Sequence, residues 1–273
     1  MSGSEAVNKA LLQAIDDKRM LVLATVTQAP DSSAVKPTAK LLIDEDREVE
    51  GTLGDPDLDQ RVIADALQAM EDRQSRVVRY PIADSSAPGD GEVAVFLEVV
   101  EPQPSLIVVG AGHIAVPLAQ MGKMLSFEVI VLDDREKFAN RERFPDADRV
   151  IAADFGPTLA SLKITRATYI VIITRGHQYD EESLMEVADS PAAYIGMIGS
   201  RRRVQAVRDN LAGVGFDPAK LDRVRAPIGL EIGAQTPEEI AVSIMAEMIA
   251  VRRGGRGLPM SEVARSRELR LSR

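Results

Sequence analysis

The segment Leu106–Ala115, LIVVGAGHIA, sets Gly110, Gly112 and Ala115 at G-x-G-x-x-A spacing. Residues of these types in this order hold an anion on bare main chain. The first glycine permits a sharp turn, the second lets backbone approach a phosphate, and the small third residue lets helix and strand pack closely. A helix that follows presents its free N–H groups and the positive end of its dipole to the same anion. The spacing alone is a weak signal. Here it follows an apolar run, and a second such run ends twenty-three residues after Gly110 at Asp133-Asp134. A carboxylate at that distance suits a ribose hydroxyl, which makes Asp133 the candidate, favouring a 2′-hydroxyl over a 2′-phosphate, although Arg135 just beyond softens that preference. Asp134 reads as solvated. A Rossmann turn that has outlived its ligand would carry the same glycines.

The chain has two histidines, His113 in the glycine turn and His177 in the segment Thr174–Asp180, TRGHQYD. If both segments follow neighbouring strands, the imidazoles flank the crevice where strand order reverses and ligands bind. His177 and Asp180 are then the candidate catalytic residues, with His113 assigned to binding. Loops favour polar residues, so either histidine could equally be ordinary surface. The two with Asp180 match no zinc-ligand spacing, and no metal site is expected. Gly199, Ser200 and Arg201 open a third segment, GSRRR, in which Ser200 can cap a helix and the arginines either engage phosphate or a pterin-like anion or form a solvated start to a surface helix. Cations are disfavoured at a helix N-terminus, so three of them need a compensating partner. Pro227–Gly233, PIGLEIG, reads as a glycine-punctuated loop that closes the pocket or merely connects.

These segments need elements to position them. From Pro104 onward the sequence alternates strands (Ser105–Val109, Phe127–Asp133, Ala147–Ala152, Thr168–Thr174, Ala193–Ile198, Arg223–Ala226) with helices (His113–Leu125, Pro157–Leu162, Glu181–Ala188, Ser200–Ala212, Pro237–Arg253). Thr236-Pro237-Glu238-Glu239 is a capping box with proline in the first turn, and Gly254-Gly255 ends the last helix. The pattern predicts an α/β fold: a Rossmann-like doubly wound parallel sheet ordered 3-2-1-4-5-6 over residues 104–255. Glu101-Pro-Gln-Pro104 breaks helix and sheet alike and marks the boundary with a smaller α+β domain at residues 1–103. That part predicts helices at Ala6–Asp16 and Asp57–Asp72, the second capped by Asp55-Pro56, and strands at Met20–Thr27, Thr38–Asp44, Arg76–Tyr80 and Val93–Val99, with a loop at Asp84–Gly91. Residues 256–273 read as a loose basic tail.

Composition closes several classes. The 273 residues include no cysteine, which excludes disulfides, thiolate metal sites and a thiol nucleophile. A net charge of −9, only 4% aromatic residues and no tryptophan argue against nucleic-acid binding. The polar, acidic N-terminus lacks the look of a signal peptide and no stretch is long and apolar enough to span a bilayer, so a cytoplasmic protein without membrane contact is expected.

The segments GAGHIA, VIVLDDREKFANRERFPDAD, TRGHQYDEESL, AAYIGMIGSRRR and PIGLEIGAQTPEEIAVSIMAEMIA together resemble, in order, the XdhC/CoxI xanthine dehydrogenase accessory factors. GTLGDPDLDQRVIADAL and GDGEVAVFLEVVEP resemble the N-terminal part of that family more loosely. The resemblance implies a homodimer that binds molybdenum cofactor, helps to sulfurate it and delivers it to a xanthine-dehydrogenase-type molybdoenzyme. Family members commonly carry cysteine in the N-terminal glycine turn and before the strand near residue 93. This chain has none, so it offers molybdenum no thiolate. The residues themselves leave two other readings open, an NAD(P)-dependent oxidoreductase with His177 as general acid and a nucleotide-sensing regulatory module.

Overall fold

The computed structural model describes residues 3–31, 33–81 and 91–262. The chain divides into two compact units between Pro102 and Gln103. In the first, α1 (Gly3–Asp16) precedes β1 (Leu21–Gln28), β2 (Lys40–Asp44), β3 (Val49–Thr52), α2 (Pro56–Asp72), β4 (Arg76–Pro81) and β5 (Glu92–Val100). The five strands form an antiparallel sheet ordered β3-β2-β1-β5-β4. Alternation along β1 sends Leu21 and Leu23 into a small core with Val7 and Ala14 of α1. Val22, Ala24 and Val26 pack on the other face with Leu58, Val62 and Ala66 of α2. One sheet thus carries a helix on each face. As expected, Asp55 caps α2, accepting from the amides of Asp57 (2.9 Å) and Leu58 (3.1 Å), with Pro56 as its first residue. Strand β3 was not expected: its residues VEGT are all exposed and carry no apolar alternation. The hairpin leading into it is closed by buried Asp44, which accepts from the amides of Asp46 and Glu48. Apart from Gly91, the loop expected at Asp84–Gly91 lies outside the described residues, as does the tail from residue 263.

The second unit runs β6 (Ser105–Val109), α3 (Ala115–Met124), β7 (Glu128–Asp133), β8 (Arg149–Ala152), α4 (Phe155–Ser161), β9 (Thr168–Ile172), α5 (His177–Val187), β10 (Tyr194–Met197), α6 (Arg201–Gly213), a 3-10 turn at Pro218–Leu221 and α7 (Pro237–Arg253). Its sheet is wholly parallel, ordered β8-β7-β6-β9-β10. Counted from β6 this is 3-2-1-4-5, a doubly wound Rossmann arrangement. All five residues of β6 are buried, as a parallel strand covered on both faces requires. Leu106 and Val108 face α3 and α7 through Leu118, Ala241, Ile244 and Met248, and Ile107 and Val109 face α4, α5 and α6 through Phe155, Leu184 and Val207.

Two expectations are corrected here. The sixth strand, Arg223–Ala226, makes only one bridge, Gly196 to Arg225. The segment runs into Pro227, which has no amide to continue a ladder. His177 does not sit in a loop: Gly176 caps α5 and His177 is its first residue, while the glycine turn delays α3 to Ala115. The capping box of α7 forms as read. Thr236 Oγ1 accepts from the Glu239 amide and the Glu239 carboxylate from the Thr236 amide, and Gly254 closes the helix at φ +66°. Replacing Thr236 with Ala removes one partner of that pair. The expected loss is about 1 kcal/mol of stability, read as a lower urea midpoint with an unchanged slope.

Candidate functional site

The turn after β6 is built around Gly110, whose φ of +103° is open to glycine and strained for other residues. It is wedged between its neighbours in the sheet. Its amide donates to Leu132 O of β7 (2.7 Å), and a Cβ there would lie 2.6 Å from Ile173 O, beyond β9. The next amide, of Ala111, donates to Asp133 Oδ2 at 2.8 Å. Asp133 is 1% exposed and also accepts from the Arg135 amide (3.1 Å), Nε (2.8 Å) and Nη2 (3.0 Å). Both of its oxygens are therefore engaged within the protein. The expectation that Asp133 reaches a ribose hydroxyl is corrected on this point: its carboxylate latches the glycine turn, and Arg135, lying over the Phe138 ring at 3.8 Å, completes the latch.

Beyond the latch the main chain opens. The amides of Gly112, His113 and Ile114 have no acceptor among the described residues, and those of the first turn of α3 are orphans by helix geometry. A Cβ added at Gly112 would meet nothing within 4 Å. His113 is exposed and Ala115 is buried where α3 meets β6, as its small size requires. Beneath the turn, the Arg143 guanidinium donates to the carbonyls of Ala111 (2.5 Å), Phe138 (2.9 Å) and Gly112 (3.3 Å). No carboxylate pairs with Arg143 among the described residues, so its charge reinforces the partial positive charge of the turn.

Next in the sheet, β9 leads through Thr174–Gly176 into α5. His177 is exposed at the head of that helix, on the same carboxyl edge as His113. Asp180, one turn along, is 0% exposed and engages Thr174 Oγ1 (2.6 Å) and Arg203 of α6 through Nε (2.7 Å) and Nη2 (2.5 Å). Its candidacy as a catalytic group is corrected accordingly. A carboxylate so enclosed fixes the start of α5 to α6. It is also the partner that the arginine-rich start of α6 needed. Among the described residues no group of three or more His, Asp or Glu side chains is placed to hold a metal ion, and no helix is long and apolar enough to cross a membrane.

Gly199, Ser200 and Arg201 lie on the same edge, two strands from the glycine turn. Ser200 caps α6, accepting from the Arg203 amide at 3.3 Å. With Ile198, the loop of residues 227–234 and two residues of α7, they line a cavity of about 510 Å³, within the usual size of small-molecule pockets. Braces from α7 hold the loop wall. Ser243 Oγ donates to Leu230 O (2.6 Å), and Glu247 Oε2 accepts from the Gly229 amide (2.9 Å) and from Tyr194 Oη (2.5 Å). The cavity is not lined by the glycine turn or by His177. The predicted residues thus form two groups on one edge. Sequence reasoning missed Arg143, Glu247 and the pairing of Asp134 with Arg175, whose Nη1 and Nη2 meet the two carboxylate oxygens at 2.5 and 2.6 Å. Adjacent opposite charges after neighbouring strands were the available signal for that pair.

Burial pushes the Asp180 carboxyl above its usual range, and the bonds from Thr174 and Arg203 pull it back. A raised folded-state pKa gives stability that is complete below the unfolded value of about 3.9 and is lost as pH rises through the folded value. Removing the cation in Arg203→Met raises the folded value further. The variant should therefore lie near wild type in acid and fall behind as pH rises, reaching a deficit of about 3–5 kcal/mol at neutrality. Urea unfolding between pH 4 and 8 measures this, and a deficit independent of pH contradicts it.

Two family models match the chain: the XdhC Rossmann domain over residues 106–248 and the XdhC and CoxI family over residues 14–81. The chain is 32% identical over 240 residues to the uncharacterized protein YqeB of Escherichia coli K12, covering 85% of this chain and 44% of that protein. It is 34% identical over 164 residues to a probable xanthine dehydrogenase subunit of Bacillus subtilis 168, covering 60% and 48%. It is 25% identical over 99 residues to the molybdenum cofactor insertion chaperone PaoD of Escherichia coli K12, covering 36% and 31%. The chain thus spans less than half the length of these curated relatives. Among solved structures, one described as a xanthine dehydrogenase from Bacillus halodurans shares the fold at a TM-score of 0.52 and 23% identity, over 93% of this chain and 96% of that one.

Proposed function

This chain belongs to the XdhC and CoxI family, and from that premise we propose that it is an accessory protein that holds molybdenum cofactor for insertion into a xanthine-dehydrogenase-type molybdoenzyme. The observation that carries the reading is the open glycine turn. Its amides at Gly112–Ile114 are unengaged among the described residues, space is free over Gly112, and Arg143 lies beneath. Two relatives are named for insertion of this cofactor and for a xanthine dehydrogenase subunit, which supports carrying the role over.

The residues present fit the phosphate-bearing, heteroaromatic parts of such a cofactor. Gly112, His113 and Ile114 would hold the phosphate through main-chain N–H groups, which bind an anion without a proton to lose. Gly199, Ser200 and Arg201, with the apolar wall of Ile198, Ile228 and Ile240, would take the ring portion. The exposed imidazole of His177 would hydrogen-bond whatever reaches the head of α5. When bound, the cofactor supplies the molybdenum chemistry; this chain has no cysteine and adds no thiolate to the metal. The role is that of a carrier, for which we propose a cytoplasmic homodimer on the family resemblance. The alternative of nicotinamide recognition is weakened by the latch, because the acceptor it assigned to the ribose is already engaged.

Titration of the purified chain with molybdenum cofactor freshly released from a molybdoenzyme, under anoxic conditions, tests the proposal. Saturable binding is expected. Gly112→Val should abolish it while leaving the circular dichroism spectrum and Tm unchanged, since the new side chain fills only the cradle. Absence of saturable cofactor binding, with saturable binding of NADH in its place, overturns the reading.

A further inference from the structure

The loops on either side of the glycine turn are joined by an ion pair. Strand order β7-β6-β9 puts the turn of Gly110 between Asp134, the first residue after β7, and Arg175, just past β9. Adjacent strands lie ~4.8 Å apart, so the outer pair are separated by about 10 Å. That gap is crossed by the two-pronged Arg175–Asp134 pair. A ligand whose anion rests on Gly112–Ile114 and whose body extends toward either flanking loop meets this bridge.

We propose that Arg175 is a specificity-determining residue for phosphorylated ligands and that Asp134 is a built-in stand-in for the ligand's anionic group, displaced from Arg175 as the ligand enters. The proposal rests on the reading of the glycine turn as an anion cradle and adds the device that selects and admits the anion.

Three observations support exchange over a permanent strut. First, the pair is accessible: Arg175 and Asp134 side chains are 35% and 19% exposed, whereas the Asp180 end of the nearby Arg203 pair is wholly enclosed. Exposed ion pairs contribute little to stability and are readily traded. Second, Arg175 stays in place without its carboxylate. Its guanidinium lies over the Tyr179 ring at 4.1 Å and donates to Tyr179 Oη, and that ring packs edge-on against Phe155 at 5.5 Å. The planar fork is thereby presented for a phosphate, which accepts two parallel N–H bonds as a carboxylate does and carries more charge. Third, Asp134 is not left alone when displaced, because Arg135 Nε lies 3.6 Å from its Oδ1. The exchange moves one anion for another.

Isothermal titration of the full chain with ADP, which presents a diphosphate on a stable carrier, separates the possibilities, with adenosine as the phosphate-free control. Asp134→Asn should bind ADP roughly 5–10-fold tighter than wild type, and Arg175→Gln at least about 10-fold more weakly, with adenosine unmoved in both. Both substitutions are at accessible side chains, and circular dichroism checks that the fold is kept. Shifts of the same sign, no shift in either variant, or failure of Asp134→Asn to bind ADP overturn the proposal. If either of the first two occurs while Gly112→Val still abolishes ADP binding, the cradle stands and only the exchange fails. ADP binding that survives Gly112→Val removes the cradle itself.

Discussion

A buried carboxylate bonded to a turn amide is the constraint on which the carboxyl edge of the parallel sheet depends. Asp133 receives the Ala111 N–H on one side and the Arg135 fork on the other, at 1% exposure. An unpaired charge at that depth would be strongly unfavourable, so strand β7, the turn after β6 and the segment beyond Asp134 are tied to a single arrangement. The strained φ of Gly110 is tolerable because the surrounding bonds over-determine it. Once Gly110 and Ala111 have given their amides to the protein, the following three residues present theirs outward. The latch occupies the first part of the glycine motif and exposes the second.

The same division recurs at β9 and β10. Asp180 is committed to Thr174 and Arg203, which frees the exposed face of α5 around His177 from structural duty. Glu247 is committed to Tyr194 and Gly229, which fixes a glycine-rich loop as a cavity wall. Burial and the Glu247 carboxylate push the Tyr194 hydroxyl far above its usual range, so it serves as a fixed donor. In each case an acidic residue works for the scaffold, while the amides of Gly112–Ile114 and the imidazoles of His113 and His177 stay outside that bonding among the described residues.

Much of this was legible in residue order. The strand–helix alternation and the cap at Thr236 marked out the doubly wound sheet, and the cap at Asp55 marked α2 of the first unit, because each is a local rule with a local signature. The glycine spacing located the turn for the same reason. What could not be read was which polar side chains were already taken. Asp133 looked like a ribose acceptor and Asp180 like a companion of His177 at the reactive end because their sequence positions suit those tasks. Arg135 was in view beside Asp133, but that its fork turns back onto that carboxylate was not, and Arg203, twenty-three residues from Asp180, becomes its partner only when helices are juxtaposed. Strand β3 escaped because an edge strand with every residue exposed lacks the alternation that identifies strands. Arg223–Ala226 was over-read for the opposite reason: apolar alternation was present, but the following proline cut the pairing to one bridge.

Helix α7 serves two masters. Ala241, Ile244 and Met248 are buried in the same core as Leu118 of α3, the helix that opens at the glycine turn. From the next turns of α7, Ser243 and Glu247 reach the loop that walls the cavity. The glycine turn and the cavity wall therefore share one beam. A sideways displacement of α7 would alter the spacing between them, so the register of this one helix is the ruler for both.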